Sequence, residues 1–334
     1  MFLTDPFFWE VLISGLLAGV MYSLVALGFV LIFKASGIFN FAQGVMALFA
    51  AMTFVGIQNG QVPFSHLINA IFGTHIHHFG WHIHSVLAII LTIGMMILLA
   101  YCVQRFVFRH LVGQEPIILF MATIGLAYLL EGVADLMWGS EIKKLDVCLT
   151  DTTCLPQGIN LAIDEFTFGI FGYGFFIDNL DITATIIAIL LVIALVAFSQ
   201  YTKQGRAMRA VADDHQAALS VGVSLNFIWI LVWSVAGFVA LVAGIMWGAK
   251  SGVQFSLSLI ALKALPVLML GGFTSIPGAI IGGLIIGVGE KLFEFSIGPM
   301  IGGATENWFA YVLALVFLVF RPQGLFGEKI IERV

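Results

Sequence analysis

Long apolar runs recur along this chain at 11–33, 41–57, 85–104, 117–138, 182–200, 225–247 and 306–320, and nothing else in it constrains the fold as strongly. A bilayer core about 30 Å thick is crossed by about 20 apolar residues in a helix rising about 1.5 Å per residue. With no water at that depth, backbone polar groups must be satisfied inside the helix itself. Composition removes the soluble alternative. Of 334 residues 60% are apolar and 10% charged, with a mean hydropathy of +1.07. An ordinary globular domain runs at roughly 45–50% apolar and about 25% charged. The net charge of −5 carries no message about nucleic acid, because the few charges sit between apolar runs and form no basic face.

One further stretch, 256–293, is apolar, rich in glycine and interrupted by Pro266 and Pro277. It is expected to form two short helices meeting near Thr274-Ser275-Ile276. The expected fold is therefore an all-α polytopic membrane protein of about eight or nine segments, one transmembrane domain over 1–334. Lys and Arg set the orientation. With the N-terminus outside, the inner loops hold Lys34, Arg105, Arg109, Lys203, Arg206 and Arg209, and the inner tail adds Arg321, Lys329 and Arg333. The outer loops hold Lys143, Lys144, Lys250 and Lys291, and Lys263 lies within a run. The first residues carry no positive n-region, so the first run is expected to remain as a spanning helix.

Two long loops, 58–84 and 139–181, then face outward. The second carries Cys148 and Cys154, either a small disulfide-closed loop in an oxidising compartment or two free thiols. Cys102 lies in a run and reads as packing. The His75, His77, His78, His82 and His84 cluster has metal-ligand chemistry. No run contains a histidine, however, so adventitious binding is the better reading than a metal pathway.

The inner loop 201–224 mixes Lys203, Arg206 and Arg209 with Asp213 and Asp214, and its Ala and Met content favours a short helix. Ala207, Val211, Ala218 and Val221 are placed on one face, and Gly222 ends the helix. Such a helix lies on the membrane, docks a cytosolic partner, or is a solvated connector. In 256–293, Gly278 and Gly282, then Gly283 and Gly287, stand four apart, a spacing that lets helix backbones approach closely. Gly271, Gly272 and Pro277 offer either a packed turn or a place for backbone movement, and Ile286 is placed by helical phase toward lipid. Lys263 costs a few kcal/mol in an apolar run unless paired or wet. Glu131 and Asp135 sit one turn apart near a span end, at headgroup level or lining a vestibule. Asn40 and Gln43 stand at the junction of the first two runs, bonding opened backbone or touching a substrate. The chain contains no Gly-x-x-x-x-Gly-Lys-[Ser/Thr] phosphate loop, no Ser/His/Asp or Glu-x-x-His arrangement in a run, and no Arg-rich run.

Three segments resemble a known family. They are Gly19-Val-Met-Tyr-Ser-Leu-Val-Ala-Leu-Gly-Phe with Phe39-Asn-Phe-Ala-Gln-Gly44, the loop Gly205-Arg-Ala-Met-Arg-Ala-Val-Ala-Asp through Ala-Ala-Leu-Ser-Val-Gly222, and Leu270-Gly-Gly-Phe-Thr-Ser-Ile-Pro-Gly-Ala-Ile-Ile-Gly-Gly-Leu284. Together they are similar to permease subunits of branched-chain amino acid (Liv-type) ABC importers, over nearly the whole chain. The resemblance implies a hetero-oligomer with a sibling permease, two cytosolic ATPase subunits and an extracytoplasmic solute-binding protein. ATP and Mg²⁺ would then belong to the ATPases, and this chain would carry no cofactor and no catalytic residue. It assigns docking to 201–224, through Gly205, Arg206, Arg209, Asp213, Asp214, Gln216, Ala217, Ala218 and Gly222. Gln216-Ala-Ala with Gly222 matches the coupling signature Glu-Ala-Ala-x-x-x-Gly, with Gln in place of Glu. Pathway or packing roles fall to Asn40, Gln43, Lys263, Gly271, Gly272, Pro277, Gly278, Gly282 and Gly283. Leu, Ile and Val are the implied substrates, and relatives carry urea, short amides and small organic acids. An ion-coupled transporter or channel acting alone would instead show paired broken helices and mid-membrane carboxylates.

Overall fold

The computed structural model describes residues 6–72, 83–111, 113–145, 166–167, 176–177, 179–213 and 215–327. The apolar runs become helices, and a short further one, α3, forms inside the expected loop 58–84: α1 Pro6–Ser36, α2 Gln43–Gln58, α3 Ser65–Phe72, α4 Ser85–Phe106, α5 Pro116–Trp138 and α6 Asn179–Tyr201. Then follow α7 Lys203–Asp213, α8 His215–Ser220, α9 Leu225–Ser251, α10 Ile260–Gly271, α11 Ile276–Ser296, α12 Gly298–Ile301 and α13 Glu306–Phe320. A two-residue antiparallel ribbon pairs Phe166–Thr167 with Phe176–Ile177. Among the described residues, six helices are long and apolar enough to cross a membrane, formed by α1, α4 with the turn that follows it, α5, α6, α9 and α11. Shorter apolar helices lie at Gln43–Gln58, Phe255–Gly271 and Trp308–Phe320. The expected break at 274–276 is present, but the two helices it separates are unequal. Of the two, α10 has 12 residues, whereas α11 has 21 and is long enough to cross alone. Residues 73–82 with most of the His cluster, and Cys148 and Cys154, lie outside the described residues; Cys102 is half-buried on α4.

By packing, the chain divides into two units: residues 31–148 with 194–259, and residues 1–30 with 149–193 and 260–334. In the first of these, α2 is the core. Every residue from Gln43 to Gly56 is buried. At 16 residues it is about 24 Å long, short of the hydrocarbon thickness, and α4, α5, α9 and the 3-10 turn at 255–259 enclose it. Small residues allow that enclosure. A Cβ on Gly244 would overlap the Ala47 carbonyl, and one on Gly56 would enter the Trp138 ring. Trp138 Nε1 donates to Thr53 Oγ1 at 3.2 Å.

The other unit is built on glycine contacts. Gly15, Gly19 and Ser23 of α1 step by four along one face and meet Gly287, Gly283 and Ala279 of α11 in antiparallel order. A Cβ on Gly19 would lie 2.5 Å from the Gly283 carbonyl oxygen, and Ser23 Oγ approaches the Ala279 and Ile280 carbonyls at 3.2 and 3.3 Å. This is the small-xxx-small device of lipid-embedded helices, where dispersion and not water expulsion drives association. A second face of α11, Gly278 and Gly282, meets α10: a Cβ on Gly282 would lie 2.6 Å from the Val267 carbonyl oxygen. The tail after α13 returns to cap α10, Leu325 N donating to Leu270 O at 2.8 Å and Phe326 N to Gly271 O at 3.2 Å.

Two adjacent faces of α11 are therefore taken by neighbouring helices. Ile286, expected toward lipid, is fully buried, because it falls on the stripe between the two glycine faces. The exposed line of α11 runs instead through Pro277, Ile281 and Ile285.

Candidate functional site

The segment between α6 and α9 is two helices rather than one. Thr202 starts α7: its hydroxyl accepts from Gly205 N at 2.9 Å while donating to Phe198 O at 2.6 Å. Gly205 is buried because α7 folds back onto the end of α6, where a Cβ would overlap the Phe198 carbonyl and approach Ser199 Cα to 2.6 Å. Met208 and Val211 continue that buried face, against α9. Lys203, Arg206 and Arg209, three apart, occupy the exposed face as a basic stripe.

The next helix, α8, closes in a Schellman motif. Val223 N donates to Ala218 O at 3.1 Å and Gly222 N to Leu219 O at 3.0 Å, with Gly222 at φ +88°, a region glycine enters without strain. Gly222 therefore ends the helix as expected. The expected apolar face holds at Val211 and Ala218, both buried, but Ala207 is half-buried and Val221 is 83% exposed. Val221 still makes a helical bond, N to Ala217 O at 3.3 Å, but it stands at the helix's end, before left-handed Gly222, and is left exposed there. Ala217 is exposed, and so is Leu219. The side chains of Asp213 and Gln216, and the whole of Asp214, lie outside the described residues.

At the α1–α2 junction, the buried Asn40 and Gln43 bond to the opened backbone, to each other and to α9. Asn40 Oδ1 accepts from Ala42 N at 3.1 Å, Asn40 Nδ2 donates to Gln43 Oε1 at 3.3 Å, and Gln43 Nε2 donates to Ala236 O at 3.4 Å. Phe41 N is taken by Thr123 Oγ1 at 3.1 Å. Of the two acids on α5, Glu131 is half-buried and Asp135 exposed.

Lys263 is paired. Its ammonium donates to Glu290 Oε1 at 3.1 Å and to Tyr22 Oη at 3.4 Å, and Tyr22 Oη donates to the same Glu290 oxygen at 3.3 Å. The Lys263 side chain is 34% exposed and that of Glu290 2%. Gly271 abuts Gly278, Gly272 turns at φ +102° under the tail at Gly327, and Pro277 opens α11 with Ser275 Oγ accepting from Gly278 N at 3.1 Å.

A family model described as the permease component of branched-chain amino acid transport systems matches residues 11–321. The chain belongs to that family. It is 28% identical, over 97% of both chains, to BraD of Pseudomonas aeruginosa, a high-affinity branched-chain amino acid transport system permease protein. LivH of Escherichia coli strain K12, a permease protein of the same description, is 24% identical over 98% of both chains. A probable LivH from Methanocaldococcus jannaschii is 24% identical over 91% of this chain and 88% of that protein.

Three parts of the permease escaped the sequence reading. Tyr22 and Glu290 complete the Lys263 site, and an acid inside the apolar run of α11 was the available signal. Gly15 and Gly19 supply the α1 partner of Gly283 and Gly287, signalled by the same four-residue spacing. Lys143, outside the spans, pins the end of α5. Its backbone forms an antiparallel bridge with Val253, and its ammonium donates to Trp138 O at 2.7 Å and to Gln61 Oε1. Burial lowers its pKa from 10.5 to about 8.

Proposed function

We propose that this permease is one transmembrane subunit of an ATP-driven, binding-protein-dependent importer of branched-chain amino acids, held in the bacterial inner membrane. The family match over nearly the whole chain carries the reading. The N-terminus lies outside and the C-terminus in the cytosol. The three shorter apolar helices join the six long ones in the bilayer. The α7–α8 segment docks a cytosolic ATPase. Its exposed basic stripe at Lys203, Arg206 and Arg209, with Leu219 and Val221 also exposed and Met208, Val211 and Ala218 buried, supports that role. The outer loops 58–84 and 139–181 face the binding protein, and a sibling permease completes the membrane part. ATP and Mg²⁺ reside on the ATPase subunits, and this chain couples their cycle to passage.

Reconstitution with the sibling, the ATPases and the binding protein tests this directly. Leucine uptake should require both ATP and loaded binding protein, and a cysteine at Ala217 should be labelled from the cytosolic side. Robust uptake by the purified chain alone under an ion gradient would overturn the reading, and labelling of Ala217→Cys only from outside would overturn the topology.

A further inference from the structure

We propose that Lys263 is a transit site for the carboxylate of the amino acid, presented by Glu290 and Tyr22; this rests on the importer reading above. The pair is asymmetric. Glu290 is 2% exposed and the Lys263 side chain 34%, so the acid is enclosed within the unit while the lysine side chain reaches its surface. Two of its three N–H donors are taken, by Glu290 Oε1 at 3.1 Å and Tyr22 Oη at 3.4 Å among the described residues, which leaves one for a ligand. The Tyr22 ring, 5.5 Å from the ammonium, fixes it further.

What lies on the open side follows from solvation. A lysine on an apolar helix usually reaches along its stem to the headgroups. This one is tethered to α11 and α1 and is not free to do so. A tethered cation exposed to hydrocarbon costs a few kcal/mol, and intramembrane charges accordingly line water-filled pathways. An ammonium with one open donor in such a pathway selects an anionic oxygen, and a carboxylate makes a charge-assisted hydrogen bond there.

Glu290 sets the strength of that contact. A lone lysine would trap an anion, whereas passage requires binding weak enough to leave. The buried carboxylate offsets the charge, so the site is neutral overall and suits a zwitterion, which is also neutral overall. Tyr22 shares the Glu290 oxygen, donating to it at 3.3 Å.

The experiment separates this role from a structural ion pair. Removing one member of a buried pair leaves an uncompensated charge, but removing both is often neutral for stability. The double variant Lys263→Met/Glu290→Gln, reconstituted with the full complex, should therefore assemble and keep ATPase stimulation by loaded binding protein. Leucine uptake should fall at least about tenfold, the effect of losing one charge-assisted hydrogen bond. A second variant, Lys263→Glu/Glu290→Lys, preserves the pair but turns a carboxylate outward, and it should assemble with uptake equally lost. Parent-like uptake by either variant overturns the proposal. If neither assembles, Lys263 serves the fold and the proposal falls too. A parent complex that takes up no leucine defeats the importer reading first, and the site with it.

Discussion

Replacing Gly283 by alanine adds one methyl group where the backbones of α1 and α11 touch. That Cβ would stand 2.6 Å from the Gly19 carbonyl oxygen and would overlap Ser23 Oγ. Ordinary contact begins at 3.4 Å, so the two helices must part by about 0.8 Å. A gap of 0.5–1 Å forfeits roughly a quarter to a half of the dispersion well at each contact it opens. The seam extends over Gly15, Gly19 and Ser23, so the loss is not confined to one site. Overpacking of this kind costs about 1–3 kcal/mol, and displacing the Ser23 hydroxyl from the α11 carbonyls adds about 1 kcal/mol. Against that, alanine gains about 1 kcal/mol over glycine in a helix interior. The net is destabilisation by about 1–3 kcal/mol, or a midpoint lowered by about 1–4 °C. Thermal melting of the purified protein in detergent reads this, with Gly125→Ala on α5 as control. Nothing lies within 4 Å of a Cβ there, so only the propensity gain remains and the midpoint should rise slightly. If Gly283→Ala melts at or above the parent while Gly125→Ala behaves as stated, the close-packing argument is wrong. Gly283→Leu should go further and abolish assembly, whereas Ile281→Leu on the exposed line of α11 should be tolerated.

Gly205→Val forces α7 off the end of α6, because its Cβ would meet the Phe198 backbone. Membrane insertion should persist while co-purification with the ATPase subunits, or ATP-dependent uptake, is lost. Asn40→Leu leaves the buried Ala42 N–H without its acceptor, which should lower stability by about 1–3 kcal/mol in the same melting assay. Lys143 has its folded pKa lowered from 10.5 to about 8, so between those values the unfolded chain binds the extra proton. Stability contributed at this position should therefore rise with pH across that window. The midpoint difference between the parent and Lys143→Met should shift in favour of the parent from pH 8 to 10.5, and a shift the other way would refute the burial argument.

The helices were readable in the sequence because length and apolarity in a lipid solvent are one-dimensional quantities. The run at 306–320 and α13 coincide, and the break before Pro277 is where Pro and Gly placed it. The end of α8 was readable for a related reason: a left-handed residue after a helix is a local demand, and Gly222 meets it. Val221 shows the limit of that local logic. Extending the buried face to the last position before the turn buries a side chain that in fact lies exposed at the helix's end.

Partners are a different kind of information. The cost of Lys263 in an apolar run could be stated from sequence, because desolvation depends only on the residue and its surroundings. Which acid compensates it depends on two helices coming together, and Glu290 lies 27 residues away on the far side of a turn. The glycines of α11 make the same point more sharply. Their four-residue spacing announces close approach, yet Gly278 and Gly282 serve α10 whereas Gly283 and Gly287 serve α1. A helix with glycines at both phases has two neighbours, and the residue between the phases must be buried. Applied to Ile286, that rule would have placed it inside. Adjacent small-residue stripes on one span are thus evidence of a helix wedged between two others. In this permease, that wedge is what holds Glu290 of α11 between Tyr22 of α1 and Lys263 of α10.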